Sequence, residues 1–396
     1  MSRKCRKKIL WRFVLFVCAV YVLWIIFLKY TYFSNENIDL PENWKLVDKC
    51  DLNTEHEKNV FIQQWSDHLQ HLTTNQTTSY NTSKTSCSEK FYPDFESNIR
   101  KVLNYKIVEN APCFDKTSDN HTKLDARIDF PVIVTAASSN HYYESQALLK
   151  SIHSNLLPQY TQIKVILYDI GLTENENAEM RKYCKCEVRK FPFHQFSAHV
   201  RLREAYAWKP LILFEVLKQY KFVMWVDACI RFHRNRMYNG KLEEMFRKAK
   251  LIGIQLQQSP RWTVSKHTKP DTFTILNEPE CLFDYPELES GWIVLWKNHF
   301  IENVFMRPWV GCALTEHCMT HPYPSRLRPC SNDLWKFILW TRCHRFDQSV
   351  LNIILIRIFN RYRKLIEFDG SHIAEILRGN KVNYFSLLHK SSFKVT

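Results

Sequence analysis

Phe222-Val223-Met224-Trp225-Val226-Asp227-Ala228-Cys229 is the stretch on which the reading turns. Five apolar residues stand between Lys221 and Asp227, the length and character of a strand buried inside a sheet. The strand ends on a carboxylate. Asp227 therefore emerges at one edge of whatever sheet this strand joins.

Working outward from it, a helix starting at Pro210 runs to about residue 220, another covers residues 241–249, and residues 251–256 form a further strand. Upstream, Pro131 leads into an apolar strand over 132–137. Residues 144–156 then carry Ala147, Leu148, Ile152 and Leu156 on one helical face. A strand over 163–169 follows, and then a helix capped by Thr173, with Glu176 at capping-box spacing. Residues 186–191 alternate like another strand. Downstream, 291–296 read as a strand and 347–359 as a long apolar helix. Strands alternating with helices predict an α/β fold, a mostly parallel sheet with helices on both faces. Ligands of such sheets lie beyond the carboxyl ends of the strands. The residues to examine are then 138–141, Asp169, 193–203, 227–231 and 255–261.

Composition narrows the chemistry. The chain has 396 residues, 45% hydrophobic and 14% aromatic, so collagenous and disordered classes fail. Its seven glycines never fall in a GxG spacing. That excludes the dinucleotide fingerprint, the P-loop and the GxSxG elbow, each of which needs glycine where the backbone turns tightly or meets a phosphate.

The front of the chain reads differently from the rest. Residues 1–8 are a basic tail holding Arg3, Lys4, Arg6, Lys7 and Lys8, and residues 9–28 are apolar except for Arg12. Twenty helical residues span about 30 Å, the thickness of a hydrocarbon core. No small-residue cleavage site ends the run, which predicts a signal anchor rather than a cleaved leader. The dense basic end should stay cytosolic. Seven basic and no acidic side chains precede residue 34, so the formal +15 leaves +8 for the body, an excess that favours anionic ligands without demanding nucleic acid. Residues 29–130 read as a stem. It holds the sequons at Asn75, Asn81 and Asn120, which belong in the lumen. Residues 131–396 are the folded domain. Eleven cysteines lie beyond the anchor, an odd number, so an oxidising lumen would leave at least one without a partner in the chain. Cys184 and Cys186 are expected to pair elsewhere, not with each other. His317, Cys318 and His321 have metal-like spacing but lack a fourth ligand for zinc.

The segments Ala136-Ala137-Ser138-Ser139-Asn140-His141, Tyr206-Ala207-Trp208-Lys209-Pro210, Trp225-Val226-Asp227-Ala228-Cys229 and Arg345-Phe346-Asp347-Gln348-Ser349 resemble, in that order, a little-characterised invertebrate glycosyltransferase-like family. The layout of anchor, stem and sheet resembles lumenal glycosyltransferases of the GT-A type. The resemblance implies transfer of a sugar from a nucleotide-sugar donor, a UDP-sugar by analogy, to a glycan or glycoprotein in the Golgi membrane system. It implies Mn²⁺ or another divalent cation at Asp227, the position of the family's Asp-x-Asp. The second acidic position is Cys229 here. Asp227 then needs help, for which His389 is the candidate, or the enzyme works without metal, or the chain is a degenerate relative that binds without catalysis. Arg201, Arg203 and Lys209 suit a departing diphosphate, and Trp208 suits a base or sugar ring. Glu289, or Asp347, is placed to take the acceptor's hydroxyl proton, with Glu287 close enough to compete for the role. A sulfotransferase would need a phosphate loop after the first strand, and residues 136–141 contain neither glycine nor lysine.

Overall fold

The computed structural model describes residues 54–73, 87–114, 130–234, 240–320, 330 and 343–392. Among them no helix is long and apolar enough to cross a membrane. The expected anchor at 9–28 and the sequons at Asn75, Asn81 and Asn120 lie outside the described residues.

Nine strands are described: β1 (Val132–Ala137), β2 (Val165–Asp169), β3 (Glu187–Lys190), β4 (Phe222–Val226), β5 (Ile230–Phe232), β6 (Ile254–Thr263), β7 (Pro286–Trp296), β8 (Glu367–Phe368) and β9 (Ala374–Ile376). Seven form one sheet in the order β3-β2-β1-β4-β7-β6-β8, and β5 pairs with β9 beside it. β1 runs parallel to β2 and β4, β2 to β3, and β6 to β8, while β7 runs against both of its neighbours. The expected mostly parallel sheet is thus present with one reversed strand. β1 and β4 are buried at every position because both faces are covered, which explains their unbroken apolar runs.

The helices of eight residues or more are α1 (Glu55–Thr73), α2 (Phe95–Leu103), α3 (Tyr142–Ser151), α4 (Glu174–Tyr183), α5 (Trp208–Gln219), α6 (Lys241–Ile252), α7 (Arg307–Leu314), α8 (Phe346–Phe359) and α9 (Tyr384–Ser392). On one face, Val134 and Trp225 of the sheet pack in a cluster with side chains of α1, α2, α5, α7 and α8. On the other, Ile133 and Met224 pack with α3, α6 and Phe385 of α9. α4 starts as its sequence dictates: Thr173 accepts from the Glu176 N–H while Glu176 accepts from the Thr173 N–H. The strand expected at 251 starts later. Leu251 and Ile252 finish α6, and Gly253, at φ +103°, stops it by donating its N–H to Ala249 O at 2.7 Å.

The expected boundary at residue 130 does not separate a stem from the fold. Phe61, Ile62 and Leu69 of α1 and Ile99 and Val102 of α2 are buried in the same core as the sheet. Tyr105 OH donates to Glu278 Oε1 at 2.5 Å, and Arg357 on α8 holds both oxygens of that carboxylate, with Nε–Oε1 at 2.8 Å. The Cys87–Cys281 disulfide closes the same junction over a separation of 194 residues. The reason is hydrophobic: α8 is apolar on all sides and needs cover beyond what the sheet provides.

Two cysteine expectations are corrected. Cys184 and Cys186 bond to each other, with Lys185 between them at φ +48° to let the chain turn back. Cys318 is tied to Cys312, which removes it from any zinc site, and His321 lies outside the described residues. Cys330–Cys343 is the fourth bridge described, Cys113 is also disulfide-bonded, and Cys229 is the free cysteine among the described residues.

Arg357→Met strands the buried Glu278 carboxylate, and breaking a buried pair in this way costs about 3–5 kcal/mol. Urea denaturation of the variant should show a midpoint lowered accordingly; an unchanged midpoint would mean that this junction does not hold the amino-terminal helices.

Candidate functional site

β1 lies between β2 and β4, so chain connections leave it in opposite directions and a crevice opens at the carboxyl ends of these strands. A cleft of about 670 Å³ occupies that place. Residues 138–141 after β1 form one wall, Arg203, Tyr206 and Trp208 a second, and Asp227, Ala228 and Cys229 after β4 the floor. Asp169, at the end of β2, is used up in its own turn: Oδ1 accepts the N–H groups of Gly171 and Leu172, and Oδ2 accepts from Asn177.

Asp227 is fixed from several directions. Its N–H donates to Gly291 O at 2.8 Å, and Oδ1 accepts from Trp225 Nε1 at 2.7 Å. Lys209 Nζ lies 3.2 Å from the same oxygen and 2.9 Å from Asp347 Oδ2. A Cβ on Gly291 would stand 3.0 Å from Asp227 Oδ2, so this strand position must stay bare for the carboxylate to fit.

Lys209 is therefore an internal residue, 1% exposed, and does not line the cleft. Burial alone would lower the pKa of its ammonium, but Asp227 and Asp347 outweigh that and hold it raised. The rings of Trp225 and Tyr206 stand 5.3 and 5.5 Å from Nζ. Asp347 is itself buried at the start of α8 and accepts from nothing in the cleft. Arg203 and Trp208 do line the cleft, Trp208 as a buried wall whose Nε1 donates to Arg203 O at 2.8 Å. Arg201 points elsewhere, its Nε donating to Phe196 O. Glu289 lies at the margin, 4.0 Å from Arg378, while Glu287 is sealed in the core with His267 and Gln348. His389 sits exposed on α9 and is not among the residues lining the cleft.

The residues missed by sequence reasoning lie on a strap, residues 377–382, that crosses the cleft. Leu377 N–H donates to Cys229 O, Gly379 N–H to Glu144 Oε1 at 2.7 Å, and Val382 N–H to Tyr143 O. Buried Arg231 donates to Asn380 O and Oδ1 at 2.8 and 3.2 Å. Between these ties, Arg378 and Lys381 join the lining. Glu144 also accepts from His141 Nδ1 at 2.7 Å. The hydrogen bond that His141 donates to Glu144 raises its pKa against the opposing effect of burial. Burial would raise the Glu144 carboxyl, but His141 and the Gly379 N–H hold it below its usual range.

The donor set does not fit a divalent cation. Mn²⁺ and Mg²⁺ want several oxygen ligands, but of the carboxylates lining the cleft Asp227 is already shared by an indole N–H and an ammonium, Glu144 is taken by His141 and the Gly379 N–H, and Glu204 lies exposed on the Arg203 side. The second acidic position is the buried Cys229, which brings no carboxylate oxygen to a hard cation. Among the described residues, the cluster closest to metal geometry is His267 with Cys330 and Cys343, whose sulfurs are bonded to each other.

A family described as a protein of unknown function, DUF1647, matches residues 84–214. No match is found among curated proteins. Among solved structures the chain is similar to glycosyltransferases. A WbbM bifunctional glycosyltransferase is 13% identical, with a TM-score of 0.29 over 46% of this chain; the chain spans 34% of its length. Mouse xyloside xylosyltransferase 1 is 12% identical over 60% of this chain and 84% of its own, at a TM-score of 0.33. Core-mannan synthase A from Aspergillus fumigatus, in a Mn/GDP form, is 10% identical over 65% and 76%, at 0.35. With scores this low, the chemistry of the cleft carries the functional reading.

Two outcomes follow from these contacts. Lys209→Met leaves two carboxylates facing each other in the core, and stability should fall by about 3–5 kcal/mol in a denaturant titration; intact stability with lost ligand affinity would return Lys209 to the ligand. His141 should titrate above its ordinary 6.5 in an NMR pH series and move back toward it in Glu144→Gln. Because the folded value is raised, the contribution of His141 to folding is complete below the ordinary value and is lost as pH rises through the raised one.

Proposed function

We propose that the cleft is the donor site of a glycosyltransferase that moves a sugar from a nucleoside-diphosphate sugar to a glycan or glycoprotein. One observation carries this: a cleft of about 670 Å³ at the strand-order switch point, with a fixed carboxylate on its floor and Arg203, Arg378 and Lys381 around it. That volume is in the range of small-molecule and cofactor sites, and the position is where such sheets bind nucleotides. Tyr206, 37% exposed and held at φ +54°, offers a ring face to a base or sugar.

In the transfer, the bond from the sugar's anomeric carbon to the β-phosphate oxygen breaks and a bond to the acceptor oxygen forms. The nucleoside diphosphate leaves with the added negative charge, which Arg203 and the strap cations stabilise. The acceptor's hydroxyl proton goes to Glu289, the carboxylate at the margin of the cleft that is neither sealed in the core nor paired to Lys209. Asp227 holds donor hydroxyls through its second oxygen. A Golgi location, with residues 9–28 as a type II anchor and the body lumenal, is part of the same proposal; the disulfides support an oxidising compartment.

The pairing of Asp227 with Lys209 favours a second reading, a transferase-like protein that binds nucleotide sugars without turning them over. Assaying released nucleotide across the common nucleotide sugars separates the two. Turnover of one donor, lost about 100-fold or more in Asp227→Asn with folding intact, is the expected result; binding without turnover selects the second reading, and neither binding nor turnover removes the donor site.

A further inference from the structure

Resting on that donor-site reading, we infer that the cleft takes the diphosphate with Arg378 and Lys381 of the strap as its counter-charge and without a divalent cation. A departing nucleoside diphosphate needs positive charge beside both phosphates, and the protein must supply what a metal does not. Asp227 finds no free carboxylate with which to build a metal site: two residues on stands the buried thiol of Cys229, and Asp347 is held in the core by Lys209. The backbone at that position is put to another use: Cys229 O accepts the Leu377 N–H and so seats the strap over the cleft.

The strap is built to aim two side chains. It is tied through Leu377, Gly379, Asn380 and Val382, and the untied residues, Arg378 and Lys381, are the cations that line the cleft. Arg231, Glu144 and the carbonyl of Tyr143 provide the anchors from elements remote in sequence, and none of those anchors spends a strap cation. Arg378 remains largely exposed, with Glu289 at 4.0 Å. Its guanidinium lines the same cleft as Asp227: burial would lower its pKa, but the Glu289 and Asp227 carboxylates hold it raised. Gly379 is at φ +74° with open space around its Cα, a turn that sets Arg378 and Lys381 on either side of the pinned N–H.

Calorimetric titration of the full-length protein in detergent with UDP, and with GDP and CDP in parallel, tests this. One diphosphate should bind in excess EDTA with an affinity within about threefold of that in Mn²⁺, and Arg378→Gln/Lys381→Gln should weaken it about tenfold or more in both buffers. Arg378→Lys/Lys381→Arg, which keeps both charges but loses the fork at 378, should weaken binding less than the Gln pair, and an unchanged thermal midpoint of the Gln pair serves as the control for folding. Binding that requires Mn²⁺ would overturn the inference while leaving the donor site standing. Metal-free binding that the Gln pair does not weaken would overturn the role of the strap. No binding of any diphosphate in either buffer would overturn both the inference and the donor-site reading.

Discussion

One buried ammonium sets the geometry of the cleft. Lys209 stands at the start of α5, Asp227 at the end of β4 and Asp347 at the start of α8, and their charged atoms meet within 3.2 Å. Taking an ammonium out of water costs several kcal/mol unless its partners are placed well. The three elements therefore cannot drift independently: a shift of α8 or β4 would leave a charge uncompensated in the core. Ser290 O adds a further acceptor 3.4 Å from Nζ, and bare Gly291 lets the strand pass beneath the Asp227 carboxylate.

The same cluster shapes the field above it. Two carboxylates around one ammonium carry a net negative charge, which repels an anion from the deepest part of the floor. The cations that line the cleft come from the walls instead: Arg203 from the segment before α5, and Arg378 and Lys381 from the strap. The arrangement separates structural charge from ligand-facing charge. Lysine serves the first role here because a compact point charge fits between two carboxylates, and the exposed Arg378 keeps a fork suited to phosphate oxygens.

Much of this was legible in the sequence. The unbroken apolar runs of β1 and β4 announced a doubly covered sheet, and Asp227 after β4 marked the sheet edge at which the cleft opens. The capping box at Thr173 and Glu176 located α4. Lys209 was singled out for its place beside Pro210, but sequence spacing does not report burial, so a core cation read as a ligand cation. Residues 55–73 and 87–114 looked like parts of a stem because α2 is short and α1 weakly apolar; the burial of α1 and α2 depends on α8 and on the Tyr105–Glu278–Arg357 contact, both remote in sequence. The strap was the least legible part. Leu377-Arg378-Gly379-Asn380-Lys381 reads as a polar turn, and nothing local ties it to Glu144, 235 positions earlier.

That separation has a consequence for the making of the protein. Chains emerge from the ribosome amino end first, at about 5–20 residues per second, and domains fold as their pieces arrive. The sheet edge, Asp227 and Arg203 are all available well before residues 377–382 exist outside the ribosome. Until then Glu144 and Arg231 have no strap to hold, and the roof of the cleft is missing. Completion of the cleft is thus a late event in biosynthesis, and a nascent chain that has already formed β1–β7 still lacks two of the cations that line it. A ligand present in the compartment of synthesis would select finished molecules over unfinished ones, because only the former can gain stability by binding it.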